Sequence, residues 1–176
     1  MLFRSFDVPE ARLWDRPDDG VPIGLAVSGP ESCVLAAEYA DAMIATGPSA
    51  DLVERFDAAG GTGRPRYGQV AICYGPDEAE CRRLAHEQFR WFGLGWPVNA
   101  ELPHPRSFEQ ATASVTEEEV GQAISCGPDI DKHVAAVKKF VDAGFTHVAV
   151  VQIGADSQAA FLDAAEKELL PGLRTA

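Results

Sequence analysis

Short apolar runs alternate along the chain with longer segments in which apolar residues recur at helical spacing. The apolar runs cover 21–28, 42–46, 66–74 and 146–153, and turn residues follow each of them. Within these runs the apolar positions do not alternate with polar ones, as they would in a strand with one solvated face. The runs therefore predict strands that are covered on both faces.

The intervening segments predict six helices. These are residues 30–40, 48–61, 76–92, a helix that starts at 116, residues 128–145 and residues 156–173. Thr116 followed by Glu119 has the capping-box pattern that predicts a helix start. Residues 93–115 contain three prolines, which forbid a continuous helix or a central strand and predict an irregular segment.

The alternation of strands and helices sets the fold class. Parallel neighbours are reached only through a crossover, which is normally a helix, so the strands should pair in parallel. The chain has 176 residues, of which 46% are hydrophobic, enough for one sizeable core. We predict an α/β fold, and a single domain over 1–176.

One turn motif recurs four times. It reads Ser28-Gly29-Pro30-Glu31, Thr46-Gly47-Pro48-Ser49, Tyr74-Gly75-Pro76-Asp77 and Cys126-Gly127-Pro128-Asp129. The first three copies follow predicted strands, and the fourth is predicted to join two helical segments. Glycine permits a tight reversal and proline suits the first helical position, so local chemistry alone explains the repeat.

The position of these turns also allows a ligand site. Parallel α/β folds bind ligands at the carboxyl ends of their strands, where a helix N-terminus offers backbone amides to a phosphate. The first turn is the best candidate, because Ala26, Val27, Ser28 and Gly29 are small and leave the backbone accessible. The signal is weak by itself, since the sequence contains no glycine-rich dinucleotide fingerprint and no P-loop.

Charge and composition narrow the possible partners. With 15 Lys and Arg against 27 Asp and Glu, the net charge is -12, which disfavours nucleic acid. The four cysteines have no metal-ligand spacing, so we expect no metal site and read them as reduced thiols, with Cys73 buried. No apolar run is long enough to cross a membrane and no signal peptide is recognisable, so the expected location is the cytoplasm.

Three long segments carry a family resemblance. They contain the blocks "VSGPES", "YGPDEAECRRLAHE", "CGPD" and "HVAVVQIG" in matching order and spacing, over nearly the whole chain from about Phe3 onward. The sequence resembles the carboxyl-terminal half of the luciferase-like monooxygenase family, and most closely its branch of oxidoreductases that use the deazaflavin coenzyme F420, similar to glucose-6-phosphate dehydrogenases.

The resemblance implies part of a (β/α)8 TIM barrel. A complete barrel takes about 250 residues, and the four predicted strands match the family's fifth to eighth. We therefore expect a half-barrel, truncated on its N-terminal side. In the family, residues matching Ala26, Val27, Ser28 and Gly29 lie near the cofactor's phosphate and ribityl chain, and Thr46 matches a position beside the substrate. The proton-transferring residues belong to the other half, so the catalytic residues are unknown.

Two departures from the family pattern bear on the site. Ala42 stands where the family usually has glycine, and Ser49 stands where the sugar-phosphate enzymes carry lysine. Glucose 6-phosphate is therefore a poor expectation for the substrate. The histidines suggest no catalytic role: His86 and His147 are interpreted as structural, and His104 and His133 as surface residues.

Three functional hypotheses follow. The first is an oxidoreductase, or a fragment of one, that uses F420 for hydride transfer to or from a small organic substrate. The second is a non-catalytic half-barrel subunit, a homo-oligomer or the partner of a complementary half, since open sheet edges invite pairing. The third is a monooxygenase of the same family that uses FMN.

Overall fold

The computed structural model describes residue 15 and residues 17–175, and its centre is one open sheet of five parallel strands. The strands are β1 (Gly24–Ala26), β2 (Ala42–Ala45), β3 (Arg66–Tyr74), β4 (Ser125–Gly127) and β5 (His147–Gln152). The predicted parallel α/β class is confirmed.

Strand β3 is the centre of the sheet. Tyr67 pairs with Ile44 of β2 and with His147 of β5, so β2 and β5 lie on opposite edges of β3. Ile72 pairs likewise with β4 and β5, so β4 lies on the same edge as β2, farther along. Strand β1 adds to β2. Within the described part of the chain, β1 and β5 do not pair, and the sheet stays open.

Nine helices connect and cover the strands of the described chain. They are α1 (Pro30–Tyr39), α2 (Ala50–Phe56), α3 (Glu78–Phe89), α4 (Trp96–Asn99), α5 (Pro105–Ala111), α6 (Glu117–Ala123), α7 (Ile130–Asp142), α8 (Gln158–Ala164) and α9 (Leu170–Thr175). A π-helical turn follows α2 at Asp57–Gly61, and another joins α8 to α9 at Ala165–Leu169. A 3₁₀ turn, Arg90–Leu94, follows α3. No helix in the described ranges has the length and apolar character needed to cross a bilayer.

Local side chains fix several helix starts. The capping box predicted at the start of α6 is confirmed, since Thr116 Oγ1 accepts a hydrogen bond from Glu119 N at 3.2 Å and Thr116 N donates to Glu119 Oε2 at 2.7 Å. Asp77 starts α3 by accepting hydrogen bonds from two first-turn amides at 2.8 and 3.0 Å. The turn motif therefore serves as a helix start, as its residues predict.

The two faces of the sheet differ in their cover. On one face, Met43, Ala45 and Gly68 are buried under α1, α2 and α7, where Phe56 and Phe140 fill the core. On the other face, the pairing register places four residues in one row across four strands. These are Ala26, Ile44, Tyr67 and His147, and all are exposed.

The carboxyl-terminal half of β3 is covered on both faces. Ala71 and Cys73 pack against α3 and α6, with Val120 and Ile124 among their neighbours. Ile72, between them, points to the opposite side and packs against Phe161 and Leu169. This burial on two faces explains the unbroken apolar run 70–74, whereas Tyr67 and Gln69 in the first half of the strand are exposed. The predicted bounds of the strand, 66–74, are confirmed.

The fourth turn motif was assigned wrongly. Residues around Cys126 were predicted to join two helical segments, but Ser125–Gly127 form β4 and pair with Ile72–Tyr74. Gly127 ends this strand with φ of +104°, a conformation that favours glycine. All four copies of the motif therefore follow strands.

Candidate functional site

A cleft of about 610 Å³ opens at the carboxyl ends of β1 and β2. Its volume falls in the range of small-molecule sites, and its place in the fold is where parallel α/β proteins bind ligands. One wall comes from the ends of β1 and β2 and the start of α2, and the other from residues that follow α3. The lining residues are Ala26, Val27, Ser28, Ile44, Ala45, Thr46, Gly47, Ser49, Leu52, Trp91, Phe92, Gly95, Trp96 and Asn99.

The structure brings most of the predicted site residues to this cleft. Ala26, Val27 and Ser28 line it at the end of β1, and Thr46 lines it at the end of β2. Gly29 does not line it; this residue is the N-cap of α1 and has extended backbone. Two turns separated by 18 residues in sequence thus share one site, because parallel strands end at the same edge.

The backbone amides at the first turn are already bonded. Ser32 Oγ accepts hydrogen bonds from the N–H groups of Ser28, at 3.0 Å, and Gly29, at 3.1 Å. The amides of Ser28 and Gly29 are therefore not free donors in this structure. Ser32 was not predicted as part of this turn, although it occupies the third helical position, from which a capping-box side chain reaches back to the N-cap amide. The amides of Glu31 and Ser32 remain without a capping side chain, since Gly29 has none.

An aromatic cluster forms the second wall of the cleft. Phe89 and Trp91 are stacked with centroids 5.6 Å apart, and Trp91 and Phe92 lie 4.6 Å apart. Trp96 adds a ring that is 58% exposed. These residues were not predicted as site residues, because Phe89, Trp91 and Phe92 fall within the helix predicted over 76–92, and Trp96 falls within the segment predicted to be irregular; in the structure the helix ends at Phe89 and a 3₁₀ turn follows. The string "WFGLGW" was the available signal, since large aromatic residues in a loop seldom lack a partner.

Asn99 carries an unsatisfied acceptor beside the aromatic wall. Its Nδ2 donates to the carbonyl oxygen of Trp91 at 3.0 Å, which fixes the orientation of the amide. Its Oδ1 is buried and has no hydrogen-bond partner among the described residues. Buried acceptors are rarely left unpaired in proteins, so this atom is a candidate contact for a ligand hydroxyl.

The cleft is electrically neutral. None of its described lining residues has a charged side chain. Lys139 borders an adjoining space of about 130 Å³ that shares Thr46 and Phe92 with the cleft. Ser49 accepts a hydrogen bond from Leu52 N at 3.4 Å and caps α2.

The histidines lie outside the cleft, and one was assigned wrongly. His133 was predicted at the surface but is fully buried beneath β4. Its Nδ1 lies 2.8 Å from Ser125 Oγ and its Nε2 lies 2.9 Å from the carbonyl oxygen of Gly127. Burial lowers the pKa of the imidazole. His86 Nε2 contacts the carbonyl oxygen of Val115 at 2.7 Å.

The cysteines form no site in the described chain. All four are buried and free, which confirms the prediction for Cys73. Cys73 and Cys126 are partners in the strand register, and Cys81 lies in the same apolar cluster. Burial raises the pKa of Cys126 to about 11, so its thiolate is scarce at neutral pH. No group of three potential ligands among the described residues is placed to hold a metal ion.

Comparison with known proteins identifies related sequences. The family model described as luciferase-like monooxygenase matches residues 3–147. The F420-dependent glucose-6-phosphate dehydrogenase of Beutenbergia cavernae is 28% identical over 96% of this chain and 53% of the relative. The enzyme of the same name from Mycobacterium avium is 32% identical over 93% of this chain and 52% of the relative. The chain spans about half the length of the curated relatives it matches.

Solved structures show the same fold. An F420-dependent secondary alcohol dehydrogenase, in complex with an F420-acetone adduct, overlaps 98% of this chain and 56% of its own at a TM-score of 0.74 and 18% identity. The coenzyme F420-dependent tetrahydromethanopterin reductase of Methanopyrus kandleri overlaps 87% of this chain and 51% of its own, with a TM-score of 0.63 and 19% identity. The predicted fold, part of a (β/α) barrel, is confirmed.

Proposed function

The chain belongs to the luciferase-like monooxygenase family, and we propose that it forms the cofactor-binding part of an oxidoreductase that uses coenzyme F420. The observation that carries the proposal is the cleft itself. It gathers the small residues at the end of β1 and Thr46 at the end of β2, the residues for which the sequence resemblance implies cofactor and substrate contacts. The names of the curated relatives and structural neighbours support F420 as the cofactor.

The residues present suit a deazaflavin. Ala26 is exposed in the cleft and Ser28 follows it, so a planar ring system or a ribityl chain can approach the backbone without meeting a large side chain. The uncapped amides of Glu31 and Ser32 are the available donors for a phosphate. Trp91 and Phe92 provide an aromatic surface opposite. When bound, the cofactor would accept or supply a hydride.

The roles of this chain's own residues are binding and shielding. The aromatic wall excludes water from one side of the cleft, and the ends of β1 and β2 set the distance at which a substrate lies from the cofactor. The hydroxyl of Thr46 and the amide of Asn99 can orient a substrate oxygen. No described histidine or carboxylate lines the cleft, so no residue of this chain is proposed as the proton-transfer group.

Fluorescence titration tests the proposal. The 176-residue chain should bind F420 more tightly than FMN, and Ala26→Leu should weaken F420 binding by about tenfold or more, because the added side chain fills the cleft. Ala159→Leu, at an exposed position of α8, is the matched control and should leave affinity unchanged. Tighter binding of FMN would favour the monooxygenase hypothesis. Binding of neither compound by the folded chain would refute the proposal.

A second candidate function has its own observation. The row of Ala26, Ile44, Tyr67 and His147 exposes one sheet face, and among the described residues the outer edges of β1 and β5 have no strand partner. A non-catalytic half-barrel that pairs with a complementary chain would cover both. Light scattering distinguishes this hypothesis, which requires an assembly of two or more chains. A folded chain that remains monomeric at high concentration would exclude homo-oligomeric pairing.

A further inference from the structure

We infer that the substrate side of the cleft is built for an uncharged, largely apolar ring compound with a hydroxyl or carbonyl group, and not for a sugar phosphate. Calling this ligand a substrate assumes the oxidoreductase function proposed above. The binding preference itself is argued from the residues that line the cleft and does not depend on that function.

The first support is the absence of a counter-charge. A phosphate dianion loses much of its hydration on entering a cleft, and this cost is offset only by cations or several hydrogen-bond donors. The described lining contains neither Lys nor Arg. Arg55, on the helix that borders the cleft, is paired with Asp51 at 2.7 Å. Arg90, next to the aromatic wall, donates to Thr112 Oγ1 at 2.9 Å.

The second support is the aromatic wall. Trp96 is 58% exposed, and Trp91 is 40% exposed with part of its ring against Phe89 and Phe92, so both residues leave surface open to a ligand in the cleft. Leu52 and Ile44 continue the apolar surface on the opposite wall. Flat or cyclic apolar groups gain from burial against such rings, and stacked aromatic contacts add to that gain.

The third support is the orphan acceptor on α4. Asn99 Oδ1 is buried without a partner, and its amide is held in place by the carbonyl of Trp91. Oδ1 is closed to water in the empty cleft, so a ligand hydroxyl bonds it only after a local shift of the Asn99 side chain or of the groups that cover it. The hydroxyl of Thr46 lies in the same lining and can bond a ligand oxygen. The site thus combines apolar surface with one or two polar anchors, as is typical of small-molecule sites.

Ligand-observed NMR on the 176-residue chain tests the inference, with and without F420. The probes are 1-phenylethanol, ethylbenzene, which lacks only the hydroxyl, and glucose 6-phosphate. We expect 1-phenylethanol to bind about tenfold or more tightly than glucose 6-phosphate. It should also bind several-fold more tightly than ethylbenzene, and Asn99→Leu should abolish that difference.

Variants of α4 and α7 sharpen the result. Trp96→Ala should weaken binding of both aromatic probes by about 3- to 10-fold, whereas Val98→Ala, an exposed neighbour on the same helix, should not. Glucose 6-phosphate binding that is lost in Lys139→Ala would overturn the inference, because the adjoining cavity would then supply the phosphate site. A folded chain that binds F420 but neither alcohol nor sugar phosphate also overturns it. Binding of 1-phenylethanol without F420 binding would uphold the cleft's preference and refute the proposed cofactor.

Discussion

Ser125 Oγ lies 2.8 Å from Nδ1 of His133, which joins the short strand β4 to helix α7. The opposite ring nitrogen lies 2.9 Å from a carbonyl oxygen. A carbonyl oxygen only accepts hydrogen bonds, so Nε2 carries the proton of the neutral ring. Nδ1 then accepts a hydrogen bond from the hydroxyl of Ser125. The buried, neutral imidazole thus connects β4 to α7 through one hydrogen bond to a side chain and one to the backbone.

The first prediction concerns pH. Burial lowers the pKa of His133 below its ordinary value of 6.5, so the unfolded chain binds more protons as the pH falls through that range. The contribution of neutral His133 to the free energy of unfolding should therefore be complete above about pH 6.5. It should be lost as the pH falls through the folded-state pKa. Urea denaturation at several pH values measures this decline.

The control for this prediction is another histidine. His133→Gln should flatten the decline, whereas His104→Gln, at an exposed position, should leave it unchanged. If the variant at position 133 shows the wild-type pH dependence, the decline has another source and the assignment to His133 is wrong.

The second prediction compares two ion pairs on one stretch of chain. Arg66 donates two hydrogen bonds to Asp57, at 2.7 and 2.8 Å, and both side chains are largely shielded. Asp51 pairs with Arg55 in solvent. Asp57→Ala should lower the free energy of unfolding by about 1 to 3 kcal/mol, because the shielded guanidinium of Arg66 loses its carboxylate partner. Asp51→Ala should cost less than about 1 kcal/mol, and equal effects in denaturant melts would contradict the assignment.

The third prediction concerns a close contact between Phe140 of α7 and Gly68 of the sheet. A Cβ at Gly68 would lie 2.5 Å from Phe140 Cδ1. Gly68→Ala should therefore destabilise the fold by about 1 to 3 kcal/mol through overpacking. Gly47→Ala meets nothing within 4 Å and should be nearly neutral. Adding Phe140→Leu should recover part of the loss, and strict additivity of the two changes would contradict the predicted contact.

The fourth prediction concerns thiol reactivity. All four cysteines are buried, and burial raises the pKa values of Cys73 and Cys126. In the native chain, Ellman's reagent should react only as fast as the structure opens, and in guanidinium it should react at once with four thiols per chain. Ser114→Cys, at an exposed position, should add one fast thiol. A fast thiol in the unaltered chain would contradict the described burial.

Much of the fold was predictable because strong local signals agree with the tertiary structure. The run 66–74 forms β3 with the predicted bounds, and its apolar second half, 70–74, packs on both faces of the sheet. The capping pair at Thr116 and Glu119 acts over three residues and needs no distant partner. Interactions between residues that are close in sequence can therefore be predicted without knowledge of the tertiary contacts.

The errors come from contacts that are distant in sequence. Strand β4 has only three residues and is a strand because Cys73 pairs with Cys126, 53 positions later. His133 looked exposed because charged residues surround it in sequence, but that turn of α7 lies beneath β4. The aromatic wall follows a helix whose periodicity gives no hint of where the chain turns next. Trp96 and Asn99 line the cleft because the chain folds back over the ends of β1 and β2, which are distant in sequence.

The central claim is that the ends of β1 and β2 form a deazaflavin site, and NMR mapping tests it most directly. Addition of F420 to the 15N-labelled chain should shift the backbone amides of Ala26, Val27, Ser28 and Thr46, together with the indole N–H signals of Trp91 and Trp96. Amides of α8 and α9, on the far side of the sheet, should stay in place. Shifts confined to the far side, or no shifts with a folded chain at saturating F420, would contradict the account.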